Sequence, residues 1–222
     1  HTDTSEINPD HGVLQDETLI NLAKQYYTPL YVYDGNQILK NFKAFQKAVS
    51  NLNSKVHFAV KANSSVAILS LLNTVGAGAD IVSGGELQRA LNANINPDSI
   101  IFSGVGKTDD ELLLAMYHGI GQINIESGAE LDRIAALAAS NNFKCSIALR
   151  VNVDVDPGSH DKISTGQNTT KFGIALTDGQ AESYYERISS HPNLTPSGLA
   201  VHIGSQLKNL IPFETAYNEL VR

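Results

Sequence analysis

Apolar positions follow two different periods along this chain of 222 residues. Short apolar runs bounded by Gly, Asp or Ser are typical of buried strands, and apolar residues three or four apart are typical of one helix face. The runs predict seven strands, at 30–33, 56–60, 79–82, 100–103, 123–125, 145–151 and 198–204. Helical patterns lie between them, near 38–49, 66–72, 85–91, 109–118, 129–139 and 179–189, and a last helix begins at Phe213.

The regular alternation of strand and helix implies parallel strands joined by right-handed crossovers. Even spacing, and the absence of a Gly-x-Gly-x-x-Gly after the first strand, favour a closed barrel over an open doubly wound sheet. A closed barrel of this type needs eight strands. We therefore expect an α/β fold of the TIM-type (β/α)8 barrel class, apparently truncated after about seven strands. Residues 1–28 are interpreted as an N-terminal arm with a short helix, and residues 29–222 as a barrel domain incomplete at its C-terminus.

Composition narrows the functional classes. The formal net charge is −7 and no basic run is present, which argues against a nucleic-acid partner. No apolar run is long enough to cross a bilayer, so no membrane role is expected. The single cysteine, Cys145, permits no internal disulfide, which fits a cytoplasmic setting. Because it begins a predicted strand, we interpret it as a core residue. No metal site is expected.

Functional groups in a parallel barrel lie at the carboxyl ends of the strands. The most telling is Lys61, which ends a strongly apolar strand, because a desolvated lysine can be neutral enough to attack a carbonyl. Position alone leaves open a surface lysine with its stem packed on apolar neighbours. The polar residues predicted at these ends are Lys61, Asp80, Ser83, Ser103, Glu126, Ser127, Arg150, His202 and Ser205.

Four short motifs occur in order on the predicted elements. They are Phe58-Ala59-Val60-Lys61-Ala62-Asn63, the run 78–87 containing Ser-Gly-Gly-Glu-Leu, the pair 165–166 with 171–173, and the run 201–206 reading Val-His-Ile-Gly-Ser-Gln. From about Pro29 to the C-terminus the chain resembles the barrel-type, fold III decarboxylases that use pyridoxal 5'-phosphate. Within that group the motifs look most like the diaminopimelate decarboxylases.

The resemblance implies a role for single residues. Lys61 would bind the cofactor covalently, His202 would stack on its ring, and Ser205 would hydrogen-bond it. Asp80 would lie near Lys61 and the ring. The structural alternatives are a core histidine, a Ser cap, and an Asp that caps the next helix.

Two charged residues are placed further from the reaction by the same resemblance. Glu86 and Arg150 would belong to a buried ion network around the cofactor, with a purely structural salt bridge as the alternative. His160, Asp161 and Ser164, in a long polar loop, would border the mouth of the site.

The implied reaction is decarboxylation of meso-diaminopimelate to L-lysine, with a small amino acid as substrate and a homodimer as the full-length enzyme. Relatives carry a glycine-rich phosphate loop and a second, β-rich domain downstream, so the isolated chain is expected to be inactive. Other fold III decarboxylases, acting on ornithine, arginine or carboxynorspermidine, remain alternatives. So do a single-domain barrel that binds pyridoxal phosphate without catalysis and a barrel that serves only as a binding partner.

Overall fold

The computed structural model describes residues 14–153, 173–176, 179–205, 207 and 209–221. The strands in this part of the chain are β1 His57–Ala59, β2 Gly78–Ile81, β3 Ile100–Phe102, β4 Gln122–Ile125, β5 Cys145–Asn152, β6 Ile174–Ala175 and β7 Leu194–Ala200. The helices are α1 Asp16–Tyr26, α2 Gly35–Ala48, α3 Val66–Asn73, α4 Gly84–Asn92, α5 Asp109–His118, α6 Gly128–Asn141, α7 Gln180–Ser190 and α8 Ile211–Val221.

All described strand pairs are parallel. The sheet runs β1-β2-β3-β4-β5-β6, and β7 pairs with β5. The last residues of β5 pair with β6, and Val151 lies opposite Ile174. Each crossover from β1 to β5 carries a helix, as parallel strands require. The α/β class and the barrel-type order predicted from the sequence are confirmed.

Along each strand, alternate side chains point outward, toward the helices, or inward, toward the barrel interior. The outward positions are almost fully buried under the helices and form the main core, at Ala79, Ile81, Ile100, Phe102, Ile123, Ile125, Ile147 and Leu149. The inward positions of neighbouring strands form a row across the sheet, because Ala59 is opposite Asp80, Asp80 opposite Ile101, and Ile101 opposite Gln122. Polar groups in that row therefore face the barrel interior.

The strand predicted at residues 30–33 is wrong. This segment has no strand assignment, and Tyr31 is 88% exposed and Tyr33 57% exposed. Aromatic side chains raise the apolar content of a segment without requiring that it be buried. The strand that the sequence did not predict is β6, which has two residues and is too short to show an alternating pattern.

The last strand begins earlier than the sequence predicts and ends before His202. A proline inside a run normally argues against a strand. Pro196 is nevertheless part of β7, where it lies opposite Ile147 just before a register shift. Because β7 pairs with β5 alone among the described strands, the missing N–H of proline is tolerated at this edge.

The turns that follow β2, β3 and β4 all begin helices with the same chemistry. Ser83, Thr108 and Ser127 are N-caps whose hydroxyl oxygens accept the backbone N–H of the glutamate three residues later. Such caps satisfy free amide groups of the first helical turn. They fix the strand-to-helix turns at the end of the barrel where the candidate residues lie.

Candidate functional site

Lys61 follows β1 directly, in a short 3-10 turn of residues 60–62. Its neighbour Val60 is fully buried, whereas Lys61 itself is exposed. Within the described part of the chain its amine has no hydrogen bond or ion pair. The turn thus anchors the backbone through Val60 and leaves a free amine at the carboxyl end of β1.

His202 follows β7 and is partly buried. Its Nδ1 accepts a hydrogen bond from the backbone N–H of Gly204 at 3.2 Å, so the neutral ring carries its proton on Nε2. Burial lowers the pKa of His202 below 6.5, and the positive charges of Arg150 and Lys61 lower it further. The charge of Asp80 acts in the opposite direction. Lys61, Asp80 and Arg150 therefore all lie within electrostatic reach of this imidazole.

Asp80 is an inward residue of β2, and its carboxylate accepts a 2.6 Å hydrogen bond from the hydroxyl of Ser103. Ser103 comes directly after β3. The backbone pairing of Asp80 with Ala59, two residues before Lys61, brings the carboxylate toward the lysine turn. The structure thus gathers Lys61, Asp80 and His202 from three separate strands.

Arg150 forms an ion pair, but not with Glu86. One guanidinium nitrogen lies 2.7 Å and 2.9 Å from the two carboxylate oxygens of Glu126, whose side chain is 4% exposed. Glu86 instead accepts the backbone N–H of Val82 at 2.7 Å and caps the turn before α4. Among the described residues Glu86 forms no ion pair with Arg150, and its place in an ion network around the cofactor stays a prediction.

Ser205, three residues after His202, is exposed and has no hydrogen bond within the described residues. His160, Asp161 and Ser164 lie outside the described residues. Cys145 is buried at the start of β5, and burial raises the pKa of its thiol to about 11. The interpretation of Cys145 as a core residue is confirmed.

Sequence reasoning missed two groups of polar residues. Gln122 and Asn124 face the barrel interior from β4, and Lys107 and Glu130 form a buried ion pair beside it. The first pair had a detectable signal, since polar residues alternate there with Ile123 and Ile125. Lys107 had none, because a lysine in a glycine-rich turn looks like an ordinary surface residue.

One cavity lies away from these residues. A groove of about 760 Å³ lies between α7 and the outer face of β7, lined mainly by Leu176, Ala181, Tyr185 and Leu199. It contains none of the predicted site residues. Among the described residues there is also no cluster of His, Cys, Asp and Glu that could hold a metal ion.

We expect the stability of the chain to fall as the pH drops below 6.5. Burial lowers the pKa of both His57 and His202 below this ordinary value, so the unfolded chain binds more protons there. Each histidine costs at most about 1.4 kcal/mol per unit of pKa lowering, until it is protonated in the folded state too. Urea unfolding at about pH 7 and about pH 5.5 measures the loss. The double variant His57→Gln/His202→Gln should lose less, and an equal loss would contradict this assignment.

Pyridoxal phosphate needs a free amine for its aldehyde, and donors and flat groups for its ring and phosphate. The donor set fits, because Lys61 has an amine without a partner among the described residues, His202 a flat neutral ring, and Ser205 an exposed hydroxyl. The fold and this site define a class of protein: a parallel α/β barrel with an amine positioned to bind a carbonyl cofactor at the carboxyl ends of its strands.

Comparison with known proteins agrees with this class. Residues 35–222 match the family described as "Pyridoxal-dependent decarboxylase, pyridoxal binding domain". The chain therefore belongs to the family of pyridoxal-dependent decarboxylases, as part of their pyridoxal binding domain.

Several relatives of this chain are diaminopimelate decarboxylases, which are one member of that family. The diaminopimelate decarboxylase of Zymomonas mobilis is 48% identical over 206 residues, which cover 91% of this chain and 48% of that protein. The crystal structure of diaminopimelate decarboxylase from Helicobacter pylori, complexed with L-lysine, superimposes with a TM-score of 0.87 at 38% identity, covering 90% of this chain and 50% of the other. The chain thus spans about half the length of the relatives it matches.

A more distant structure shows the fold alone. Lysine decarboxylase from Selenomonas ruminantium aligns with a TM-score of 0.79 at 21% identity over 94% of this chain and 51% of the other. The barrel is thus shared by decarboxylases of different substrates, and the fold does not choose among them.

Proposed function

We propose that this chain is the pyridoxal-binding half of a diaminopimelate decarboxylase, which converts meso-diaminopimelate to L-lysine. The observation that carries the proposal is the free amine of Lys61 within reach of His202, in a chain that belongs to this family. The choice of substrate is supported by relatives of 39% to 48% identity that bear the name diaminopimelate decarboxylase. It is supported further by structures of that enzyme in complex with L-lysine.

The bound cofactor supplies an aldehyde and an electron-withdrawing ring. Lys61 would hold it covalently, which requires a neutral amine. Asp80 pairs with Ala59 across the neighbouring strand and is proposed to lie near Lys61 and the ring of the bound cofactor.

His202 contributes a neutral, flat ring at neutral pH, because burial and two cations oppose its protonation. The hydrogen bond from Gly204 fixes the orientation of that ring. Ser205 follows on the same segment and is proposed to donate its hydroxyl to the cofactor. Arg150 is proposed to act near the site while held by Glu126, and Glu86 to hold the turn that leads into α4.

The remaining parts of the proposal rest on family resemblance. The full-length protein is proposed to be a cytoplasmic homodimer with a small amino-acid substrate. Among the described helices none is both long and apolar enough to cross a membrane. The arm of residues 1–28 and the barrel domain of residues 29–222 are proposed as two of its units.

The test is formation of L-lysine from meso-diaminopimelate by the full-length protein that carries this chain, with pyridoxal phosphate added. Ornithine and arginine serve as competing substrates. We expect lysine to form at least about tenfold faster than either competing product, which corresponds to about 1.4 kcal/mol in the transition state. Faster decarboxylation of ornithine or arginine would contradict the substrate. The 222-residue chain alone should be inactive, and activity equal to the full-length protein would contradict the assignment as half an enzyme.

A further inference from the structure

A line of hydrogen-bonded side chains crosses the barrel interior and ends on Asp80. The hydroxyl of Ser197 donates to Gln122 Oε1 at 3.0 Å, and Gln122 Nε2 donates to Asn124 Oδ1 at 2.7 Å. Asn124 Nδ2 donates to Ser103 Oγ at 3.0 Å, and that hydroxyl donates to Asp80 Oδ1 at 2.6 Å. Ser197 lies on β7, Gln122 and Asn124 on β4, Ser103 directly after β3, and Asp80 on β2.

All four hydrogen bonds point the same way. An amide nitrogen can only donate and an amide oxygen can only accept, so Gln122 and Asn124 together set the direction. The Ser103 oxygen already accepts from Asn124, which leaves its single proton for Asp80. Hydrogen bonds aligned head to tail polarise one another, and donors stabilise the charged form of a carboxylate. The line therefore presents a hydrogen-bond donor of fixed direction to its last member, the Asp80 carboxylate.

The interior does not need these polar groups to be filled. Other inward positions of the sheet are apolar, at Ala59 on β1, Ile101 on β3 and Ala148 on β5. Asn124 is only 8% exposed, and an unsatisfied polar group at such a position would cost free energy. A polar line that ends on a residue of the candidate site is therefore better explained by that residue than by packing.

We propose that Ser103 and Asn124 are positioning residues, which with Gln122 and Ser197 behind them hold the Asp80 carboxylate in place on the side of the barrel interior that His202 faces. The inference rests on the proposed function only in treating Asp80 as a site residue. It adds a set of residues that fix the position of this carboxylate from the interior of the barrel.

His202 can report on this arrangement, because the charge of Asp80 acts on the pKa of His202. The charged groups that act on His202 are Arg150 from β5, Lys61 from the turn after β1, and Asp80 from β2. His57 also lies near Asp80, from the opposite end of β1. A change in the charge or place of Asp80 should therefore shift the titration of His202 without any cofactor.

The experiment is a nuclear magnetic resonance titration of His202 in the full 222-residue chain without cofactor. Asp80→Asn should lower the midpoint by about half a unit to one unit, since an opposite charge is removed. Ser103→Ala should lower it in the same direction by about 0.2 to 0.5 unit. Ser103→Thr, which keeps the hydroxyl, should restore the wild-type midpoint. Ser190→Ala, which removes a hydroxyl from the exposed end of α7, is the matched control and should change nothing.

Ser103→Cys provides a second route if the alanine variant does not fold, because a thiol fills nearly the same space but donates weakly. It should also lower the midpoint. The proposal is overturned if folded Ser103→Ala and Ser103→Cys leave the His202 midpoint unchanged or raise it, or if Asp80→Asn has no effect. None of these outcomes depends on covalent binding at Lys61, so failure here is distinguishable from failure of the proposed function.

Discussion

Lys61→Ala should abolish covalent attachment of pyridoxal phosphate to this chain. Lys61 has a free amine at the carboxyl end of β1, and an alanine there leaves no nucleophile for the aldehyde. The measurement is borohydride reduction after incubation with pyridoxal phosphate, followed by peptide mass spectrometry. We expect a modified peptide containing Lys61 in the wild type and a loss of at least about a hundredfold in the variant.

Two further variants make this result specific. Lys61→Arg keeps a positive charge but cannot become neutral, so it should fail as completely as alanine. Lys55→Ala removes an exposed lysine two residues before β1 and should retain the adduct. An adduct of wild-type yield on another lysine in Lys61→Ala would refute the site. If the wild-type chain forms no adduct, the prediction that these 222 residues bind pyridoxal phosphate covalently without the rest of the enzyme is refuted.

Lys107→Met should give the largest loss of stability. The Lys107 side chain is fully buried, and its amine donates to the carbonyl oxygen of Asn124 at 2.7 Å and to Glu130 Oε1 at 2.9 Å. Removing the amine leaves the Glu130 carboxylate buried without its counter-charge. Breaking such a pair costs about 3–5 kcal/mol, which denaturant unfolding can measure.

The matched control for this prediction is Arg187→Ala. Arg187 pairs with Asp132 at the protein surface, where both side chains are about half exposed or more, so the loss should be below about 1 kcal/mol. The double variant Lys107→Met/Glu130→Gln should recover part of the stability, because the unpaired charge is gone. If Lys107→Met loses no more free energy of unfolding than Arg187→Ala, the buried pair stabilises the fold no more than a surface pair does.

The position of the elements could largely be predicted from the sequence. Helix α5 was predicted at its observed bounds, and the structure shows why they are sharp: Thr108 and Glu111 form a capping box, and Gly119 ends the helix. The exceptions have physical causes. The exposed aromatic segment at 30–33 imitates a strand, β6 is too short to show a period, and Pro196 conceals the start of β7.

The candidate site was predicted in part. Lys61, Asp80 and His202 were expected together, and the charges of Lys61 and Asp80 both act on His202 in the structure, while their roles stay a prediction. The partner of Arg150 could not be predicted, since Glu86 and Glu126 both follow strands and only the backbone decides which carboxylate caps a helix. The directed line from Ser197 to Asp80 could not be predicted either, because it joins residues that are up to 75 positions apart.

The sequence by itself determined most of the strands and helices, because periodicity, caps and turn residues act over a few neighbouring positions. It also placed the lysine at the end of a strand, since an apolar run followed by a polar residue is a local signal. The tertiary structure alone decided which side chains meet across strands. Register, inward orientation and burial depend on packing between distant segments. That packing decides the partner of Arg150, the burial of Lys107 and the charges that surround His202.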